Sequence, residues 1–178
     1  MKWKSIILIA CTLLLISCGV KEEDQQSNVS YTHDEPLTHE MEQVLVEMTY
    51  LVVDHENFEK NYGNMGLEDE TVIVLGNVSI TNQREEEIFY TPSFVATTEQ
   101  GEKYENIAID LGLVETEEQL KLSSTEKYEF PIAFVMPLST YENIDVLDII
   151  VPVPYLEPNS VISSDALGDT TVWKIKIK

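Results

Sequence analysis

Thr71-Val72-Ile73-Val74-Leu75-Gly76-Asn77-Val78-Ser79-Ile80-Thr81 is the stretch on which the fold of this chain turns. In an extended backbone successive side chains point to opposite faces, so Val72, Val74, Val78 and Ile80 share one face while Asn77, Ser79 and Thr81 share the other. The segment reads as a strand with its apolar row against a core. Asn82-Gln83-Arg84-Glu85-Glu86 follows as a polar turn, and Ile88 to Thr98 reads as the returning strand, with Pro92 marking an edge or a bulge. Glu99-Gln100-Gly101-Glu102 then closes a second hairpin into Lys103 to Ile107, which makes a meander.

The same period of two recurs on either side. Upstream, Val44, Val46, Met48, Tyr50 and Val52 alternate with polar residues, and ordered structure is expected to begin near Gln43. Asp54 to Glu70 reads as a long loop with one helical turn around Asn57 to Tyr62. Its Phe58, Tyr62 and Met65 are expected to fold back on the core, with a contact surface as the alternative.

Downstream, Ala108 to Thr125 is undecided, and its Glu115, Glu117 and Glu118 read as an exposed turn before a cation site. Tyr128, Phe130, Ile132, Phe134 and Met136 form the bulkiest inward row, on a strand central to the packing. Pro131 lacks a backbone N–H, so that strand need not be central in its sheet. Ile144 to Val153 is apolar on both faces apart from Asp145 and Asp148, and Pro152 and Pro154 stop it. After a loop from Tyr155 to Asp169, the last strand sets Trp173, Ile175 and Ile177 inward. Its outer row of Lys174, Lys176 and Lys178 is expected to pair with an acidic neighbouring strand, with an anionic surface as the alternative. About seven short strands with no long helix indicate an all-β, immunoglobulin-like two-sheet sandwich over residues 43–178, and a closed barrel is the alternative.

The N-terminus sets the address. Lys2 and Lys4 precede an apolar run from Ser5 to Ile16, the length of a signal-peptide core and too short to span a bilayer. Leu15-Ile16-Ser17-Cys18 has the form of a lipobox, so residues 1–17 read as a lipoprotein signal and Cys18 as the lipidated N-terminus of the mature chain. Cleavage at Cys11 would leave too little apolar core and strand Thr12 to Ile16 in the product. Two or three acyl chains on one cysteine hold a protein stably, where one chain holds it only reversibly. Residues 18–42, polar and acidic, read as a flexible linker. His33 and His39 lie there beside Asp34, Glu35 and Glu40 without a ligand spacing of recognised type.

Composition narrows the class. The 178 residues carry 32 acidic and 11 basic side chains, a formal charge of −21. Loss of the signal with its two lysines takes the mature chain to about −23 on the same count. Nucleic acid is disfavoured as a partner, since binding it requires Lys and Arg to neutralise phosphates. Cys11 and Cys18 are the only cysteines, so the mature domain can form no internal disulfide and no thiol site. Its apolar residues, 43% of the chain, have to stabilise it alone.

Three landmarks carry a likeness. Val78-Ser79-Ile80-Thr81-Asn82 with its polar turn, Phe94 leading to Gln100-Gly101-Glu102-Lys103-Tyr104-Glu105, and Tyr128 to Phe134-Val135-Met136-Pro137 together resemble a domain of unknown function common in Gram-positive lipoproteins. The resemblance covers residues 43 to 178 and implies an immunoglobulin-like sandwich similar to that of a secreted mycobacterial immunoprotective antigen. It transfers no catalytic residues. The chain departs from that pattern at Ser123-Ser124, where many members have Pro-Gly, and in the acidic insert around Glu115 to Glu118.

No phosphate loop, dinucleotide motif, nucleophile elbow or EF-hand loop occurs. Asp145 and Asp148 lie an odd number of residues apart and face opposite ways along a strand, poor geometry for a carboxylate pair. His55, between Asp54 and Glu56, reads as a surface residue before a catalytic base. The expectation is a non-enzymatic binding or accessory module without cofactor, lipid-anchored on the extracytoplasmic face of the cell membrane. It would present residues 54–70 and 155–170 to an envelope protein or a small ligand. The alternatives are an envelope hydrolase or transfer enzyme and an acidic cation-binding surface protein.

Overall fold

The computed structural model describes residues 29–113, 119–160 and 162–178. Among the described residues ten strands form, β1 (Val29–Met41), β2 (Val44–Asp54), β3 (Thr71–Asn82), β4 (Ile88–Tyr90), β5 (Val95–Thr97), β6 (Lys103–Glu105), β7 (Leu120–Leu122), β8 (Lys127–Pro137), β9 (Val146–Val151) and β10 (Thr171–Lys176). Two short helices, α1 (His55–Tyr62) and α2 (Leu138–Glu142), connect them. One antiparallel sheet runs β1-β2-β3-β8 and the other β10-β9-β5-β6, with β4 and β7 in a separate ladder. The chain leaves the first sheet after β3, returns to it at β8 and leaves again for β9 and β10, the crossing pattern of an immunoglobulin-type sandwich.

The inner row of β3 is as its alternation requires. Val72, Val74, Val78 and Ile80 are buried and pack with Phe130, Ile132, Phe134 and Met136 of β8 and with Leu147, Ile149, Trp173 and Ile175 of the second sheet. Gly76 interrupts that row between Tyr50 and Ile132, its register partners. A Cβ built there would sit 2.7 Å from Ile132 Cγ1 and 3.1 Å from Met48 Sδ, so neighbouring side chains already fill the place of its own.

β8 is an edge strand dense with core residues, and Pro131 shows how both hold. Ala133, two residues on and hence of the same orientation, directs its N–H away from β3 to Asn106 Oδ1 at 2.9 Å, while its carbonyl accepts from Ile107 N at 2.9 Å. The N–H that Pro131 lacks would face the same free edge, so the ladder with β3 loses no bond.

Three expectations need correction. Residues 29–41, placed in the flexible linker, form β1 and pair with β2 from Val29↔Val53 to Met41↔Val44. The period is hidden because register shifts at Val29/Tyr31 and His33/Leu37 break the alternation. The two-residue turn is also unmarked, since Glu42 and Gln43 both take positive φ (46° and 69°) where Asn-Gly is the usual signal. Arg84 Nη1 donates to the Glu42 carbonyl at 3.0 Å and Gln83 N to the Gln43 carbonyl at 2.8 Å, which holds that turn from outside.

The meander is the second correction. β3 does not pair with the segment that follows it: β4 pairs with β7, and β5 pairs with β6 and β9, so only the hairpin at Gly101 stands. Asn82 directs the departure from β3. Fully buried, its Nδ2 donates to the carbonyls of Glu86, Leu122 and Ser123 at 2.8 to 3.1 Å, and its Oδ1 accepts from Arg84 N at 3.0 Å. Third, Tyr128 is 42% exposed and lies at the edge of the inward row instead of within it.

The expected pairing of the C-terminal lysines is present at two positions. Lys174 is the register partner of Asp148 and contacts its carboxylate at 3.1 Å, and Lys178 lies 3.7 Å from Asp145.

A graded groove on the outer face of the first sheet

Register turns the outer face of β2, β3 and β8 into a series of layers. From the α1 end these are Val53/Ile73/Val135, Leu51/Leu75/Ala133, Thr49/Asn77/Pro131 and Glu47/Ser79/Glu129. The first two layers are apolar, the first covered and the second covered in part. Phe58 of α1 is completely buried there, with Ala108 and Leu111 from the segment after β6 and the partly buried Met65, Leu67 and Leu113 around them. The fourth layer is polar, with Lys127 Nζ 2.7 Å from Glu129 and Ser79 Oγ donating to Glu47 at 3.3 Å.

Between cover and charge lies an open groove of about 380 Å³. Leu51, Leu75 and Leu113 line its apolar end, Tyr62 stands over it, and Thr49 and Asn77 lead out of it. His33 and Asp34 of β1 and Pro131 of β8 close the two sides. A second depression of about 210 Å³, lined by Glu47, Ser79, Lys127 and Glu129, shares Thr49 and Asn77 with the first. The two therefore make one channel along the strands. From Leu51 to Glu47 is about 13 Å at the usual rise per strand residue.

α1 forms where its sequence allows. Asp54 caps it, accepting from Asn57 N at 2.9 Å through Oδ1 and from Asn57 Nδ2 at 2.6 Å through Oδ2. Gly63, at φ 85°, ends it with its N–H on the Glu59 carbonyl. The helix spends Phe58 on the sheet and leaves Tyr62 46% exposed, its ring stacked on Phe58 at 4.8 Å. Phe58 and Met65 thus fold back as expected, whereas Tyr62 faces solvent at the groove.

The other candidate residues fall in separate places. His55 opens α1 with Nε2 3.4 Å from Glu59 Oε1 and its side chain only 12% exposed, so it is more enclosed than the surface position expected of it. Its neighbour Asp54 is committed to the cap. His33 stacks on Tyr50 at 5.1 Å, and Tyr31 stacks on the same ring at 5.9 Å. Tyr50 donates its hydroxyl to the Lys176 carbonyl at 2.8 Å, and burial, then the adjacent Tyr31, holds that hydroxyl above its ordinary pKa. Asp145 and Asp148 each face a lysine. Cys18 and the Glu115, Glu117 and Glu118 trio lie outside the described residues. Among the described residues no three His, Cys, Asp or Glu side chains gather where they could hold a metal ion, and no helix is long and apolar enough to cross a membrane.

The 155–170 segment is less free than expected of a presenting loop. Tyr155 bridges to Phe89 and Ala166, Leu167 is buried with its N–H on the Pro154 carbonyl at 2.8 Å, and Gly168 lies against Met41. Leu156 and Ile162 remain exposed. The groove residues Thr49, Asn77 and Pro131 carried one usable signal: in β3 the outward row changes from Ile73 and Leu75 to Asn77 and Ser79, which marks where a cover must end.

A family model described as a domain of unknown function, DUF5068, matches residues 17–178. The chain belongs to this family. No curated protein matches this DUF5068 chain. Among solved structures it is similar to a functionally unknown protein from Listeria monocytogenes EGD-e, at 14% identity and a TM-score of 0.59 over 84% of this chain and 87% of that one. It is also similar to the yjhA protein from Bacillus subtilis, at 13% identity and a TM-score of 0.50 over 80% of this chain and 97% of that one. Both likenesses concern the fold alone.

Proposed function

We propose that this DUF5068 chain is a lipoprotein anchored through Cys18 on the extracytoplasmic face of the cell membrane, whose sandwich acts as a non-enzymatic binding or accessory module for an envelope protein or a small ligand. The observation that carries the binding role is the groove itself. A sheet face that α1 and residues 106–113 cover at the Ile73 layer, and in part at the Leu75 layer, is left open beyond, with an aromatic ring at the boundary. Its volume lies in the range of small-ligand clefts, and its apolar floor with a few polar groups is the usual lining of such sites. The lipobox supports the anchor, and the family match extends to Ser17 beside it.

The anchor is tested by mass spectrometry of the mature N-terminal peptide, which is expected to begin at an acylated Cys18. A bare Cys18 or a retained leader removes it. For the binding role, a photoreactive benzoylphenylalanine in place of Tyr62 is expected to give one discrete adduct in living cells, lost in a Cys18→Ser chain. Absence of any adduct at Tyr62, together with adducts from positions on the second sheet, would move the site elsewhere.

A further inference from the structure

We propose that the groove takes an amphipathic cation, an apolar body carrying one ammonium or guanidinium head, with the body toward Leu51 and Leu75 and the head toward Glu47 and Glu129. This deepens the binding role proposed above and rests on it. The argument is the order of the layers. Going along the strands, the groove is apolar at Leu51, Leu75 and Tyr62, neutral and polar at Thr49 and Asn77, and ionic at Glu47 and Glu129.

Charge selects the sign of the head. The charged side chains of the channel are Asp34 at the β1 side and Glu47, Lys127 and Glu129 at the far end, whereas the His33 ring stacks on Tyr50, whose side chain belongs to the inner face. Lys127 is already engaged by Glu129 at 2.7 Å and also feels the Glu47 carboxylate, which among the described residues accepts a long bond from Ser79. The carboxylates therefore outnumber the fixed cation, and the formal charge of −21 for the whole chain adds a field of the same sign. An anionic head would be opposed by that excess of carboxylates. A neutral apolar molecule would leave the ionic end unused. A head about 10 Å or more from the apolar end reaches the Glu47 layer, given the roughly 3.3 Å rise per strand residue.

The probes are 6-phenylhexylamine and 6-phenylhexanoate, which share a body and differ in the sign of the head, titrated calorimetrically into the full chain. The amine is expected to bind saturably and at least tenfold more tightly than the carboxylate, with an advantage that shrinks at high salt. Thr49→Arg, which sets a fixed cation in the neck of the channel, is expected to weaken the amine at least tenfold. Glu47→Gln, a milder and nearly isosteric change at a half-buried position, is expected to weaken it severalfold with the thermal midpoint little changed. Equal binding of both probes overturns the proposal, as does amine binding indifferent to both substitutions, which would place it diffusely on the acidic surface. If neither probe binds while Tyr62 still crosslinks in cells, the cation is wrong and the groove stands. If both fail, the binding role fails with it.

Discussion

The inner and outer faces of the first sheet are built from the same strands and have different fates. Inside, Val72, Val74, Val78 and Ile80 meet the second sheet along their whole length, and every layer is closed. Outside, the layer carrying Ile73 is closed and that carrying Leu75 partly so, by a helix of eight residues and a loop. A core sealed by ten strands and one sealed by a local flap should respond unequally to the same chemical insult, because the cost of a cavity depends on how well its site can collapse.

The largest contrast is expected between two fully buried phenylalanines. Phe134→Ala should cost about 3–5 kcal/mol of global stability, since neither sheet can close the cavity. Phe58→Ala should cost about 2 kcal/mol, and amide exchange should rise over α1 ahead of the strands, because the flap opens as a local unit. Denaturant midpoints with exchange mapping check both, and equal losses with uniform exchange would merge the two faces into one cooperative core.

Next in size is Gly76→Ala. Ile132 and Met48 occupy the space of the added methyl, so a loss of about 1–3 kcal/mol is expected by equilibrium unfolding. An Ile132→Val companion change should recover part of it. Full tolerance of the alanine would mean that the inner face is looser than its contacts indicate.

Tyr90 probes the inner face in another way. It is completely buried between Phe94 and Phe130, and its hydroxyl has no hydrogen-bond partner among the described residues. Tyr90→Phe should therefore stabilise the domain by up to about 1 kcal/mol at neutral pH, since an unpartnered buried hydroxyl costs more than its removal. Burial raises its pKa well above 10.0, so folding favours the protonated form. The stability linked to that proton is complete below pH 10 and lost as the pH rises through the folded-state value. Unfolding curves from pH 8 to 11 should fall less steeply for the phenylalanine variant.

The smallest effect belongs to the solvent side of the second sheet. Lys174→Ala removes a contact with Asp148 from a lysine side chain that is 72% exposed, and the loss should stay below about 0.5 kcal/mol and vanish at high salt.

Much of the inner face is legible because a period of two over three to five apolar residues admits few other readings. β2, β3, β8 and β10 all show it, and the Lys174–Asp148 pair follows from their register. What escaped was encoded without periodicity. β1 is broken by bulges and joined by a Glu-Gln turn, and β4 and β7 are three residues each. The exit of the chain to the second sheet after β3 depends on the buried Asn82, whose four hydrogen bonds reach residues 84 to 123. Of the groove, the sequence singles out Tyr62 as an aromatic residue in a long loop, but nothing local indicates that β1 and α1 flank the same opening. That juxtaposition arises from the β1–β2 pairing, the one long ladder hidden by its irregularities.

The central claim, that the open half of the outer face is where this domain meets its ligand, is tested most directly by thiol accessibility. The described residues contain no cysteine, so single replacements give clean rates. Maleimide labelling of Asn77→Cys, in the groove, and of Val172→Cys, exposed on the second sheet, would be compared on the purified chain and on intact cells. The account predicts that Asn77→Cys labels readily when purified and is selectively protected on cells, while the ratio for Val172→Cys is unchanged. Equal ratios at the two positions, or protection at Val172→Cys alone, would contradict it.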